Sequence, residues 1–184
     1  MFTKVEEAIM FATKAHQGQK RKDGTDFICH PMCVGQMIEN MGLDDKYVII
    51  AILHDIIEDT RFNYNDIKER FGIEIADAVK GISEDNKIKD YKLRKSAFID
   101  QISKLDSNIL LIECADKLHN LLHDYSVNPN SLNDYSERRR WFYFEMQKLL
   151  NEKCKGSVLD RLNEMIKLLP PLAENTEKNE GSTN

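Results

Sequence analysis

Val48-Ile49-Ile50-Ala51-Ile52-Leu53-His54-Asp55-Ile56-Ile57-Glu58-Asp59-Thr60 decides the reading of this chain. Its first six residues are apolar on every side, as expected of a helix buried all round. Four ionisable groups, His54, Asp55, Glu58 and Asp59, then interrupt the run. A carboxylate moved from water into an apolar interior neutralises, finds a partner or binds a cation. If residues 45–59 form one central helix, His54 lies near Glu58 and Asp55 near Asp59, since residues four apart share a face. Adjacent His54 and Asp55 project about 100° apart around such a helix, so both can reach one ion at its edge.

Outward from this segment the apolar spacing is helical almost throughout, and no alternating run supports a strand, so the fold class is all-α. Residues 3–17 put Val5, Ile9, Ala12 and His16 on one face, which makes His16 a core residue. Pro31 suits the first turn of the next helix and Gly42 its end. Further helices are expected at 65–71, 73–82, 90–104, 107–122, 134–152 and 157–169, with 83–89 and 123–134 as loops. Pro170-Pro171 ends the last helix, so one domain over 1–170 is expected, followed by a disordered polar tail over 171–184. At 184 residues, a single core is the natural solution.

Composition removes several function classes. Hydrophobic residues make up 41% and charged residues 31%, the balance of a soluble globular protein. No apolar run approaches the ~20 residues of a spanning helix, and Lys4, Glu6 and Glu7 stand where a signal peptide is apolar, so a cytoplasmic protein without membrane partners is expected. The net charge of −5 argues against a nucleic-acid surface. It leaves room for a small anion beside Lys20-Arg21-Lys22 or Arg94-Lys95. Cys29, Cys33, Cys114 and Cys154 are scattered, which favours reduced thiols over disulfides. Cys29-His30-Cys33 lacks the second spaced pair of a structural zinc site.

A metal at His54-Asp55 needs donors from elsewhere. Asp116 interrupts a second apolar helix, between Ile109-Leu110-Leu111-Ile112 and Leu118, Leu121 and Leu122. His30 lies where a loop enters a helix. Two imidazoles and two carboxylates suit Mn2+, Fe2+ or Zn2+, and ligand type does not choose among them. Such an ion lowers the pKa of water and polarises a phosphoryl oxygen, with Glu58 and Asp59 placed to handle protons. Pattern alone leaves open the alternative that these are hydrogen-bonded core groups. His119 and His123, flanking Asn120, read as surface or loop-facing residues.

The chain also resembles a known family, the HD-domain (p)ppGpp hydrolases of the RelA/SpoT type, in particular the small single-domain members related to the metazoan SpoT homologue. Carrying the resemblance are Ala15-His16-Gln17-Gly18-Gln19-Lys20-Arg21-Lys22-Asp23-Gly24-Thr25, Ile28-Cys29-His30-Pro31, Leu53-His54-Asp55-Ile56-Ile57-Glu58-Asp59-Thr60, Phe71-Gly72 and Ala115-Asp116-Lys117-Leu118-His119-Asn120. Weaker likeness continues at Tyr135-Ser136-Glu137-Arg138 and Tyr143-Phe144-Glu145, so that residues 3–150 are covered in the family's order. The resemblance implies an HD-domain helical bundle with Mn2+ on His30, His54, Asp55 and Asp116. It implies hydrolysis of the 3′-pyrophosphate of guanosine tetra- or pentaphosphate to GDP or GTP and pyrophosphate. Glu58 and Asp59 match the family's catalytic pair, and Arg21, Lys22 and Asn120 match substrate contacts. The chain has Leu122 where relatives often carry arginine, which leaves a phosphate or sugar contact to another residue; Arg94, Lys95 and Arg139 are surface charges unless they face the cleft. Hydrolysis without synthesis is expected, with phosphatase action on another nucleotide such as NADPH, or nucleotide sensing without turnover, as the alternatives. The sequence does not specify an oligomeric state.

Overall fold

A computed structural model describes residues 2–173, so part of the expected tail, 174–184, lies outside the described residues. The chain is helical as expected: α1 (Lys4–Ala15), α2 (Cys29–Asn40), α3 (Asp45–Leu53), α4 (Ile56–Asp59), α5 (Tyr64–Phe71), α6 (Ile73–Gly81), α7 (Tyr91–Ile102), α8 (Ser107–Val127), α9 (Glu137–Lys153) and α10 (Ser157–Ile166). A 3-10 turn, Ser131–Asp134, precedes α9. Among the described residues, β pairing is limited to an isolated bridge between Lys20 and Asp26.

Local chemistry sets the boundaries. Thr3 and Glu6 form a reciprocal capping box at the start of α1, and Asp106 accepts from the backbone N–H of Asn108 and Ile109 at the start of α8. Gly72, at φ +91°, supplies the left-handed turn that separates α5 from α6.

Helix α3 sits at the centre, packed by α1, α2, α6 and α8. Ile50, Ile52 and Leu53 are essentially fully buried, each contributing about 1.5–3 kcal/mol by leaving water. Gly35 lets α2 approach it closely. A Cβ there would lie 2.8 Å from Cγ1 of Ile52.

Two expectations change. The helix expected over 45–59 is broken, with His54 and Asp55 forming a turn between α3 and α4. The His54 Nδ1 contacts the Ala51 carbonyl oxygen at 2.7 Å, the acceptor that the Asp55 N–H would use in a continued α-helix. The ladder resumes where the Asp59 N–H donates to the Asp55 carbonyl at 2.9 Å. In the second change, α8 runs on to Val127 through part of the expected 123–134 loop. No glycine or proline stops it there, and Asp124 at its end is held by Tyr135 and Arg139. The expected loop at 83–89 is irregular, as read.

Candidate metal centre and its cleft

The α3–α4 break, the start of α2 and the middle of α8 converge on one buried point. Donor atoms of His30, His54 and Asp116 all lie within 4.8 Å of one another. His30 Nε2 is 3.0 Å from Asp116 Oδ1 and 3.5 Å from Asp55 Oδ2. His54 Nε2 is 3.1 Å from Asp55 Oδ2 and 3.9 Å from Asp116 Oδ1. The four residues expected from sequence to surround an ion are thus brought together.

The outer contacts of the imidazoles fix what faces inward. A proton on His54 Nδ1 donates to the Ala51 carbonyl, leaving the Nε2 lone pair turned toward carboxylates. That buried Nε2 has no hydrogen-bond partner. Lone pair against carboxylate is repulsive unless a positive charge lies between them. The titration behaviour agrees: burial opposes a charge on His54, yet Asp55, with Asp116 behind it, pushes its pKa up to about 10. Burial likewise opposes ionised Asp116, but Lys117 and the two imidazoles hold its pKa well below the usual carboxylate range. A site of two imidazole nitrogens and two carboxylates that calls for positive charge fits a divalent cation.

His119, expected at the surface, is instead half-buried behind His30, with 2.8 Å between their Nδ1 atoms. Burial first, then the charge of His30, pushes its pKa down to about 4. A neutral His119 can accept a hydrogen bond from His30 Nδ1–H through its own Nδ1, so that the His30 Nε2 lone pair also faces inward, the arrangement by which outer partners orient metal-binding imidazoles. The sequence signal was present, since His119 lies three residues after Asp116, nearly one helical turn, on the face of α8 that carries it.

Glu58 and Asp59 line the same 260 Å³ cavity as the four central residues. Burial pushes the Glu58 carboxyl up to about 8, and its Oε1 accepts the Glu84 N–H at 2.8 Å. Asp59 lies at the more open edge; partial enclosure, then the neighbouring charge of Asp55, raises it to about 6. The Asp59 backbone is held from behind. Gln19 Nε2 donates to its carbonyl at 2.6 Å, and Gln19 Oε1 contacts Nδ1 of the buried His16 at 2.7 Å. His16 is therefore buried as expected and also braces the site.

Asn120 Nδ2 donates to Asp116 Oδ1 at 2.6 Å, and Arg21 Nη2 donates to Asn120 Oδ1 at 3.0 Å. Two of the expected substrate contacts are thus tied to the central cluster. Lys22 stands further out, on an adjoining cleft of 410 Å³ that shares Lys117 and Asn120 with the inner cavity. Six cations line this outer cleft, Lys22, Arg94, Lys95, Lys117, Arg138 and Arg139, and no acidic side chain does. Arg94, Lys95 and Arg139 therefore face the cleft. Leu122 packs half-buried against the core.

Two further residues escaped the sequence reading. Glu113, buried on α8, lies 3.2 Å from Lys117 Nζ, which also pairs with Asp116. Like Asp116, Glu113 breaks an apolar run, so the same argument could have found it. Glu84 pairs with both Lys95 and Arg94 from the 83–89 loop, and no pattern marks it. Cys29 and Cys33 are exposed free thiols outside the central cluster. None of the described helices is long and apolar enough to cross a membrane.

Comparison with known proteins agrees with this architecture. The chain is 36% identical over 127 residues to the guanosine-3′,5′-bis(diphosphate) 3′-pyrophosphohydrolase of Haemophilus influenzae, covering 66% of this chain and 19% of that protein. It is 34% identical over 133 residues to the bifunctional (p)ppGpp synthase/hydrolase SpoT of Escherichia coli, covering 69% of this chain and 19% of that protein. The chain thus spans about a fifth of the length of these curated relatives. Its fold is that of a solved structure described as a metazoan ortholog of SpoT that hydrolyzes ppGpp, with a TM-score of 0.77 at 24% identity, covering 91% of this chain and 96% of that one. A Listeria monocytogenes structure matches with a TM-score of 0.65 at 27% identity, covering 75% of this chain and 91% of that one. A profile described as HD domain matches residues 8–139, more than half of the sequence, and the chain belongs to the HD domain family.

Proposed function

We propose that this protein hydrolyses the 3′-pyrophosphate of guanosine tetra- or pentaphosphate, giving GDP or GTP and pyrophosphate, with Mn2+ held by His30, His54, Asp55 and Asp116. One observation carries the reading: a cluster suited to a cation opens directly onto a cleft lined by six cations and no acid. Such a cleft suits a substrate with phosphate groups at two ends, one reacting at the metal and one held remotely. The names of the relatives point to the same substrate.

The ion supplies Lewis acidity at the phosphoryl group and lowers the pKa of water. The chain's own groups do the rest. Water oxygen attacks the phosphorus next to the ribose 3′ oxygen, the bond from that phosphorus to the 3′ oxygen breaks, and pyrophosphate leaves. Asp59, raised only to about 6 in the metal-free protein, is the more readily ionised of the two and takes the water proton. Glu58, the more buried of the pair and raised to about 8 in the metal-free protein, is the one suited to give a proton to the 3′ oxygen. Arg21 offers a planar guanidinium to the base, Asn120 orients Arg21 and the sugar, and Lys22 meets phosphate.

The test is a panel of nucleotides, NADPH included, incubated with purified protein and Mn2+ with and without chelator, scoring phosphate and pyrophosphate separately. Pyrophosphate from guanosine tetraphosphate, lost on chelation, is expected. No pyrophosphate from that substrate would falsify the assignment, and phosphate from NADPH alone would replace it.

A further inference from the structure

Glu84 is the point where the two halves of the cleft meet. Its carboxylate pairs with Lys95 through Oε1 and with Arg94 Nε at 3.1 Å through Oε2, while its own N–H donates to Glu58 Oε1 at 2.8 Å. The side chain is only 11% exposed, so these contacts are made largely away from water. Lys95 is additionally held 4.2 Å over the Phe142 ring, and burial together with the nearby Lys117 lowers its pKa. Glu84 is thus the anion that compensates two cations on the wall of the outer cleft.

The backbone around Glu84 is anchored more heavily on its N-terminal side. Ser83 is buried and donates through Oγ to the Val79 carbonyl, and Gln101 Nε2 donates to the carbonyls of Gly81 at 2.7 Å and Ser83 at 3.0 Å. Beyond Glu84 the segment is irregular and exposed from Asp85 to Lys87. Its hold on the wall of the cleft is the Glu84 ion pairs and the Arg94 Nη1 contact to the Ile88 carbonyl at 3.0 Å.

We propose that Glu84 is a positioning residue that neutralises Lys95 and Arg94 of the remote-phosphate site from the inner-cavity side, so that arrival of a substrate's remote diphosphate on Lys95 and Arg94 displaces its carboxylate and frees Glu58 from the Glu84 N–H. This rests on the hydrolase reading above and adds a substrate check to it. A nucleotide lacking the remote phosphates leaves Glu84 paired and Glu58 restrained. One bearing them exchanges an internal anion for its own, as induced-fit specificity requires. No covalent step is involved.

Two measurements on the Mn2+-loaded full chain test this. In the first, GDP, which carries a 5′-diphosphate and no 3′-pyrophosphate, is titrated calorimetrically. Glu84→Gln, which keeps the shape and removes the competing charge, is expected to bind GDP about 10-fold more tightly, the gain for one charge-assisted contact no longer displaced. Asp85→Asn removes the same charge from the exposed neighbour and should change affinity less than about 2-fold. Equal tightening in both variants, or none in Glu84→Gln, overturns the proposal whatever the enzyme hydrolyses.

The second measurement compares kcat for guanosine tetraphosphate and for guanosine 3′-diphosphate, which lacks the remote group. The wild type should favour the former by about 10-fold or more in kcat, and Glu84→Gln should narrow the ratio to about 2-fold. An unchanged ratio overturns the coupling to Glu58. Absence of turnover in the wild type counts against the hydrolase reading instead, and leaves the GDP titration to decide the role of Glu84.

Discussion

The inner and outer ends of this cleft are both built from charge, yet they are assembled in opposite ways. The inner end draws on a few positions in three buried segments, and its groups interlock: His54 with Ala51, His30 with His119, Asp116 with Lys117 and Asn120. The outer end gathers single cations from the 20–22 segment and helices α7, α8 and α9. Burial makes an uncompensated inner charge costly, so each inner group depends on its partners. At the outer end Lys22 and Arg138 are exposed, and substitutions there should add rather than cascade, whereas Arg94 and Lys95 share Glu84.

The largest effect expected is at the inner end. Asp55→Ala should abolish stoichiometric metal binding by calorimetry and lower activity by about 10³-fold or more, a scale in keeping with loss of the metal's role. A variant that still binds Mn2+ at wild-type affinity would remove Asp55 from the metal set. Glu58→Gln should separate the two functions of that end, retaining the metal while kcat falls by about 10²–10⁴-fold. Full turnover would exclude Glu58 from proton transfer. His119→Phe probes the interlocking itself, with metal affinity expected to fall about 10–100-fold at unchanged stoichiometry; unchanged affinity would mean that His30 is oriented without it.

Arg139→Ala carries the comparison to the outer end. It should raise KM for guanosine tetraphosphate about 10-fold with little change in kcat, in a salt-sensitive manner. A matching fall in kcat would show that the two ends are not independent at this position. The last test concerns stability. The Glu58 pKa rises from an ordinary 4.5 to about 8 in the folded, metal-free protein. Between those values the folded state holds a proton that the unfolded state has lost, so the contribution is full below pH 4.5 and disappears as pH rises through about 8. With chelator present, the wild-type Tm should fall relative to Glu58→Gln between about pH 5 and 8. Parallel curves would refute the raised pKa.

The same contrast explains what could be read in advance. His54, Asp55 and Asp116 interrupt apolar helices, and a polar break in a buried helix is visible in a linear pattern. Glu113 is visible by the same logic. Lys22, Arg94, Lys95, Arg138 and Arg139 each look like an ordinary surface charge, because their convergence is a property of how α7, α8 and α9 are placed, and helical periodicity does not encode that placement. The break at His54-Asp55 was hidden for a different reason. Apolar residues from Val48 to Leu53 and again at Ile56-Ile57 favour one helix, and the competing bond from the His54 ring to the Ala51 carbonyl is invisible until the ring's rotamer is known.

That carbonyl contact gives the two imidazoles different histories under mutation. His30 relies on a side chain, His119, which one codon change can remove, so its basicity can be tuned by substitution. His54 relies on a peptide oxygen, which every amino acid at position 51 would supply. At the proposed metal site, residue 119 is therefore the position where a single substitution changes an imidazole's support, whereas the support of His54 survives any substitution at position 51.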